Sequence, residues 1–320
     1  MSNAPPPDEG PDVGPADYVG RVNRVIDHVV THLDEPHTLE DLAAIANFSP
    51  FHFHRVFRSL LGETLHQFTK RLRLERAVAL LSQPRPGSLT EIALACGFGS
   101  SSDFSRSFKA RYGVSPSAFD VAGFRSSRRE EWQRAIAEDS LRHLLRGLEP
   151  GENPDGFEVE LRELPPRTVA YLRVLDPYRP DAVTGAAERL VAWAEARGCA
   201  DGQWLGYMWD DPDVVAHADC RYDVGVEVDA GVRARRGDAA TDEAVGFFEF
   251  PAMTVAQVEV RGGIDLEMRA LDWVYKTWLP SSRCLPVDQP CFEAWIGRPF
   301  AHGFEHFELF VQLPVRVAGA

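Results

Sequence analysis

Two arginines and one glutamate carry the chemistry this sequence offers. Arg55 and Arg106 each sit between phenylalanines, in Phe53-x-Arg55-x-Phe57 and Phe104-x-Arg106-x-Phe108. On a helix, Phe residues four apart share a face and bury together, which turns the intervening Arg outward. An outward guanidinium presents paired N–H donors that match the O6 and N7 acceptors of guanine in the DNA major groove. Glu293 lies between Cys291 and Trp295 in a strand-like stretch, and side chains two apart on a strand share a face. A carboxylate beside an indole suits a cationic aromatic ligand, through ion pairing and the attraction of a cation to the ring. Other chemistries find little support. The pairs His28/His32 and His302/His306 are each four apart but have no clear third ligand nearby, so no metal is expected. The five cysteines are odd in number and form no C-x-x-C pair, against a disulfide framework or structural zinc. With no nucleophile–base pattern, glycine-rich phosphate loop or Walker motif, no cofactor is expected.

The elements that must position the two arginines occur twice. Thr38 to Ala43 returns as Ser88 to Ala93, 50 positions on, and Phe53 to Arg58 returns as Phe104 to Lys109, 51 on. Thr38-x-x-Asp41 and Ser88-x-x-Glu91 fit a box in which a hydroxyl caps the first amides and the acid reaches back. Asn47 and Gly97 tolerate the left-handed backbone of a tight helix-turn-helix corner. Residues 65–81 read as a long helix joining the units, stopped by Pro84 and Pro86. An earlier helix is expected over 18–33, where apolar residues follow helical spacing. The first turn of a recognition helix enters a groove deepest. Phe51, His54 and Arg55 are therefore candidate base readers in unit one, and Ser101, Ser102, Asp103 and Arg106 in unit two. Lys70, Arg71, Arg73, Lys109 and Arg111 are candidates for phosphate contacts, which orient a protein without reading sequence.

Charge divides in the same sense. The net charge of −14 comprises −4 over residues 1–17, +4 over 18–130 and −14 over 131–320. A basic block beside an acidic one is expected when only one domain meets nucleic acid. Residues 1–17, rich in Pro, Asp, Glu and Gly, read as a disordered tail. Residues 18–125 form the expected DNA-binding domain, 126–156 a connector helix and linker, and 157–316 a second domain. No apolar run reaches membrane-span length and no basic-then-apolar leader opens the chain, so a cytoplasmic, nucleoid-associated protein is expected.

The acidic half also repeats. Glu163, Pro165, Thr168, Val169 and Ala170 return as Glu249, Pro251, Thr254, Val255 and Ala256 at an offset of 86. Arg221-Tyr222-Asp223-Val224 returns as His306-Phe307-Glu308-Leu309 at 85. Each half reads as strand, helix, strand, strand, with helices near 183–197 and 265–278. Two such halves pack about a pseudo-twofold axis, leaving a cleft. Gly206, matching Glu293 in the first half, would leave space opposite the carboxylate. Tyr171, Tyr207, Met208, Trp209, Trp273, Trp278 and Trp295 are candidates to line the pocket.

At this point the residues resemble known families. Residues 18–120, through the second unit from Ile92 to Lys109 and the following Tyr112-Gly113 and Pro116, resemble the double helix-turn-helix DNA-binding domain of AraC/XylS regulators. Residues 157–315, through Gly206 to Pro212, Arg221-Tyr222-Asp223 and Phe292 to Trp295, resemble the GyrI-like (gyrase-inhibitor-like) effector-binding domain. Placing the DNA-binding domain first resembles the Rob-like arrangement. The resemblance implies a multidomain protein: an all-α double helix-turn-helix followed by an α+β twin of strand-helix-strand-strand modules. It further implies a transcription regulator whose second domain takes an amphipathic, cationic or aromatic effector, with Glu293 as countercharge. The expected partners are double-stranded DNA, that effector and RNA polymerase, with no membrane; a monomer suffices to span two grooves. One alternative is a DNA-binding protein whose GyrI-like domain hydrolyses reactive cyclopropane-type compounds, Glu293 activating a water. Another is a nucleoid-type protein with no inducer.

Overall fold

The computed structural model describes residues 15–83, 86–136, 148–229, 231–232, 244–287, 289–303 and 306–317. The expected tail over 1–14, the proline stop at Pro84 and most of the connector's second half, including Leu141, Leu144 and Leu145, lie outside the described residues.

Helix α1 spans Pro15–Thr31, so residues 15–17, expected in the tail, are helical. Its stripe of Val22, Val25, Ile26 and Val29 is buried. The first helix-turn-helix is α2 (Leu39–Ile45) and α3 (Pro50–Leu61); α4 (Leu65–Leu81) leads to the second, α5 (Leu89–Ala95) and α6 (Ser101–Tyr112). Both corners are left-handed where expected, at Asn47 (φ 52°) and Gly97 (φ 76°). Ser88 and Glu91 form the full reciprocal box. Thr38 caps the Asp41 amide, but the Asp41 carboxylate accepts from the Thr38 hydroxyl at 2.6 Å instead of from its backbone. A further box, Thr64 with Gln67, starts α4. Phe53 and Phe57 pack edge-on against each other in one core, as do Phe104 and Phe108 in the next, all four fully buried. Burial of each ring stabilises by about 1.5–3 kcal/mol relative to exposure.

After α7 (Val121–Ile136) comes one nine-stranded antiparallel sheet. Its strands are β1 (Glu160–Leu164), β2 (Arg167–Leu175), β3 (Trp204–Met208), β4 (Arg221–Val228), β5 (Gly246–Phe250), β6 (Met253–Gly262), β7 (Cys284–Pro286), β8 (Cys291–Trp295) and β9 (Phe307–Val317). Helices α8 (Ala182–Ala196) and α9 (Ile264–Trp273, running into a π turn at Val274–Trp278) complete the two modules. The order β1-β6-β9-β8-β3-β4-β2-β5 is pseudo-twofold about the β8–β3 pair. Each module has a leading strand beyond those expected, and the two exchange them: β1 pairs with β6, and β5 with β2. The modules therefore join edge to edge through β3 and β8.

Alternation sorts the side chains cleanly. Ala170, Leu172, Val174, Trp204, Tyr222, Val224 and Trp295 face α8 and α9 in the larger core. Val169, Tyr171, Leu205, Tyr207, Phe248, Phe250 and Phe292 form an aromatic layer on the other face. Helix α8 packs on β2 and β4, and α9 on β6 and β9, which leaves β3 and β8 as the floor between them. The aromatic face meets α1, which touches β5.

Candidate DNA-reading helices and effector site

The expected base readers of unit one lie on α3. Phe51 is 68% exposed, Arg55 is exposed and lies 5.7 Å from the Phe51 ring centroid, and His54 is half-buried. On α6, Ser102, Asp103 and Arg106 are exposed and Ser101 is half-buried. Arg106 reaches Asp103 at 3.7 Å, with its side chain 78% exposed. So exposed a pair contributes roughly 0–1 kcal/mol, and the guanidinium is held only loosely.

The phosphate candidates divide. Lys109 and Arg111 lie on α6, where Lys109 is exposed and Arg111 ties back to Glu75 at 3.2 Å. Lys70 is half-buried. Arg71 does not face a phosphate: it is buried, with Nη2 on Glu63 at 2.6 Å and Nη1 on Glu75 at 3.3 Å. Arg73 donates to the carbonyls of Leu33 and Glu35, closing the bundle rather than facing outward. The linking helix is buried on several sides because both units and the second domain pack on it, so adjacent positions differ sharply.

A second group of cations serves the interface between domains. On α7, Arg125 pairs with Asp211 at 2.7 Å, and Arg129 bridges Asp213 at 3.1 Å and Asp272 at 2.9 Å. On β2, Arg173 grips Asp223 of β4 through Nε at 2.8 Å and Nη2 at 2.7 Å. The same Nη2 reaches Asp27 of α1 at 2.9 Å, and Tyr171 donates to Asp27 at 2.5 Å. Trp209 Nε1 donates to Asp223 at 2.7 Å. Burial opposes the charge on Arg173, yet Asp223 and Asp27 outweigh it and hold the guanidinium ionised. Burial pushes the Asp27 carboxyl up, against the pull of Arg173.

This geometry corrects the expected pocket lining. Tyr171, Tyr207 and Trp209 belong to the aromatic face, across the sheet from Glu293, and Tyr171 and Trp209 hold the interdomain cluster. Trp273 is core, against Phe157. On the helix side with Glu293 are Met208, Trp278 and the buried Trp295, which packs on Phe300 and Phe307.

Glu293 sits at the seam, opposite Gly206 on β3 and Val311 on β9. The space beside Gly206 is occupied: Tyr222 donates to Glu293 Oε2 at 2.5 Å, and a Cβ on Gly206 would collide with both groups. Glycine there admits the Tyr222–Glu293 contact instead of opening a void. Glu267 of α9, 4% exposed, hydrogen-bonds to Glu293 from above. Sequence reading missed both partners, although Glu267 stands on the apolar stripe of its helix, three before Ala270 and seven before Val274. Burial pushes the Glu293 carboxyl up to about 7, while hydrogen bonds from Tyr222 and Glu267 hold it down. Burial and the neighbouring Glu293 place Glu267 well above the carboxylate range. Among the described residues no group of three His, Cys, Asp or Glu side chains is placed to hold a metal ion, and no helix is long and apolar enough to cross a membrane.

The fold and site define a double helix-turn-helix joined to a twin-module sheet with an acid at its centre. The comparisons with known proteins agree. The family described as "Helix-turn-helix domain" matches residues 42–121, and the "GyrI-like small molecule binding domain" matches residues 157–316. The chain belongs to the family of the GyrI-like small molecule binding domain, whose model covers residues 157–316, half of its length, and it carries a helix-turn-helix domain ahead of that. It is 34% identical to the probable transcriptional regulator LumQ of Photobacterium leiognathi over 103 residues, which is 32% of this chain and 41% of that protein. It is 32% identical to the right origin-binding protein of Escherichia coli over 104 residues, 32% of this chain and 35% of that protein. The chain thus spans under half the length of these relatives. Among solved structures, the DNA-binding domain of AdpA in complex with a target DNA is 34% identical, over 34% of this chain and 96% of that one, at a TM-score of 0.31. The EcmrR C-terminal domain is 16% identical, over 51% of this chain and 99% of that one, at a TM-score of 0.36.

Proposed function

We propose that the protein is a one-component transcription regulator. Its helix-turn-helix units bind double-stranded DNA, and its GyrI-like domain binds a cationic, aromatic small molecule at Glu293. The observation that carries the effector reading is Glu293 itself. It is a largely enclosed carboxylate on the floor between two helices, held by a tyrosine hydroxyl and a second acid, with no Lys, Arg or His ion-paired to it among the described residues. Among the described residues no cation neutralises it, which leaves that countercharge for a ligand to supply. Support for DNA binding lies in the exposed Arg55 and Arg106 on equivalent turns of two like helices. Units in one chain suit successive major grooves, so a monomer is sufficient.

A tryptophan-fluorescence titration with cationic aromatic compounds, on wild type and Glu293→Gln, tests the reading. Mass spectrometry of each compound afterwards separates sensing from turnover. Saturable binding that is lost in Glu293→Gln, with compounds intact, is expected. Hydrolysed compounds would point to an enzyme, and binding unaffected by the substitution would remove Glu293 from the site.

A further inference from the structure

Glu293 receives two hydrogen bonds, and the two donors differ in kind. Tyr222 is a fixed hydroxyl. Glu267 donates only if it carries a proton. Two carboxyls in contact at a buried site do not both ionise at neutral pH, because each charge raises the cost of the other. The question is which acid keeps the proton, and the surroundings answer it. Glu293 has Tyr222 as a second donor, whereas Glu267 has, among the described residues, no hydrogen-bonding side chain other than Glu293. Other groups around the pair do not change the balance. Beta strand β3 presents Gly206 and β9 presents Val311. On β8, burial pushes the Cys291 thiol up to about 12, so it is neutral, and Tyr275, on the π turn that ends α9, is raised well above the usual tyrosine value and is neutral too. None of these is a cation.

We infer that Glu267 works in its neutral acid form, as a hydrogen-bond donor that positions an ionised Glu293, so that the site offers one negative charge and gains nothing from the second charge of a dication. This rests on Glu293 being the effector anchor. Burial holds the Glu267 proton on, and the two donors together oppose the burial of Glu293 and favour its ionised form. A monocation then neutralises the site. The second charge of a dication meets no second carboxylate unless Glu267 gives up its proton, and that would remove the donor on which Glu293 depends.

Two experiments on the full chain test this, and the first needs no ligand. In the infrared difference spectrum of wild type minus Glu267→Gln at about pH 8, the expected loss is a protonated-carboxyl C=O stretch. Loss of an ionised-carboxylate stretch instead overturns the inference. The second compares ethidium, an aromatic monocation, with propidium, a dication on the same ring system. Glu267→Gln, whose amide still donates, should bind ethidium within about threefold of wild type. Glu267→Leu should weaken it about tenfold at pH 7 and move the pH midpoint of binding up by about one unit. Propidium should gain no more than about threefold over ethidium. A Glu267→Gln loss as large as that of Glu293→Gln, or propidium bound more than about tenfold tighter with release of a proton, would overturn it. If Glu293→Gln binds ethidium as wild type does, the effector reading fails, while the infrared result still decides the state of Glu267.

Discussion

Replacing Arg173 with Met tests how the two domains are held together. The Arg173 side chain is 1% exposed and lies between Asp223, 0% exposed, and Asp27, 16% exposed. Methionine keeps much of the apolar stem but removes both ion pairs and the stacking of the guanidinium on Tyr171, 5.0 Å from its ring centroid. Asp223 would keep the Trp209 N–H, and Asp27 the Tyr171 hydroxyl, but neither would have a countercharge. Removing one partner of a buried pair costs about 3–5 kcal/mol, mostly the penalty of the charge left behind. The sign with pH follows. In the variant Asp27, which burial already pushes up, loses the pull of Arg173 and rises further above its unfolded value, so the folded state binds more protons than the unfolded one as pH falls. The loss of stability should therefore shrink in acid and be greatest above the folded pKa of Asp27. For one such proton the slope is about 1.4 kcal/mol per pH unit. Urea unfolding of wild type and Arg173→Met from about pH 5 to pH 8 would show a gap that widens with pH. A gap below about 1 kcal/mol at neutral pH, or one independent of pH, would refute the account.

Arg106→Ala should relax discrimination between duplexes by about 1–3 kcal/mol at one base pair, whereas Lys70→Ala should weaken all duplexes alike and lower the salt slope by about one. Gel-shift titrations over a set of single-base variants at several salt concentrations separate the two, and equal weakening everywhere would remove Arg106 from base reading. Gly97→Ala should destabilise by more than about 1 kcal/mol, because the backbone there is left-handed (φ 76°) and the new Cβ would stand 2.6 Å from the Leu33 carbonyl. Thermal unfolding checks it; an unchanged midpoint would mean that the corner relaxes freely.

Local signals and non-local ones fared differently. Period, caps and corner residues are written within one turn of chain, so the linking helix was expected over the residues it occupies, Leu65–Leu81. The shared face of Cys291, Glu293 and Trp295 was legible for the same reason. Which acid or cation meets which partner depends on elements distant in the chain. Arg71 and Lys70 are neighbours on α4, yet only the packing of other elements decides that Arg71 is enclosed. The added strands β1 and β5 escaped because each pairs with the other module. One signal was present and unused: Met208 and Trp209 are adjacent on an extended segment, so they cannot both face Glu293. The +4 charge of residues 18–130 was also too generous to DNA, since Arg71, Arg73, Arg125 and Arg129 are engaged inside the protein.

Strand β4 is where the effector site and the interdomain cluster meet. Tyr222 points to the helix side and holds Glu293; its neighbour Asp223 points to the aromatic side and holds Arg173, which reaches Asp27 on α1. A cation that draws Glu293 away from the Tyr222 hydroxyl acts one peptide unit from the contact that seats the DNA-binding domain. If the two are coupled, linkage requires reciprocity: an effector that changes DNA affinity by some factor has its own affinity changed by the same factor. Tetraphenylphosphonium, a monocation without a flat intercalating ring, is a suitable probe, with a duplex selected from a random pool. A coupling of about 1–3 kcal/mol is ordinary and corresponds to about 5- to 150-fold. Asp27→Ala severs only the α1 end of the cluster and leaves the Arg173–Asp223 fork intact. It should leave each affinity, measured alone, within about threefold of wild type while driving the coupling factor towards one. A coupling factor unchanged in Asp27→Ala would show that whatever passes between the sites does not pass through this contact.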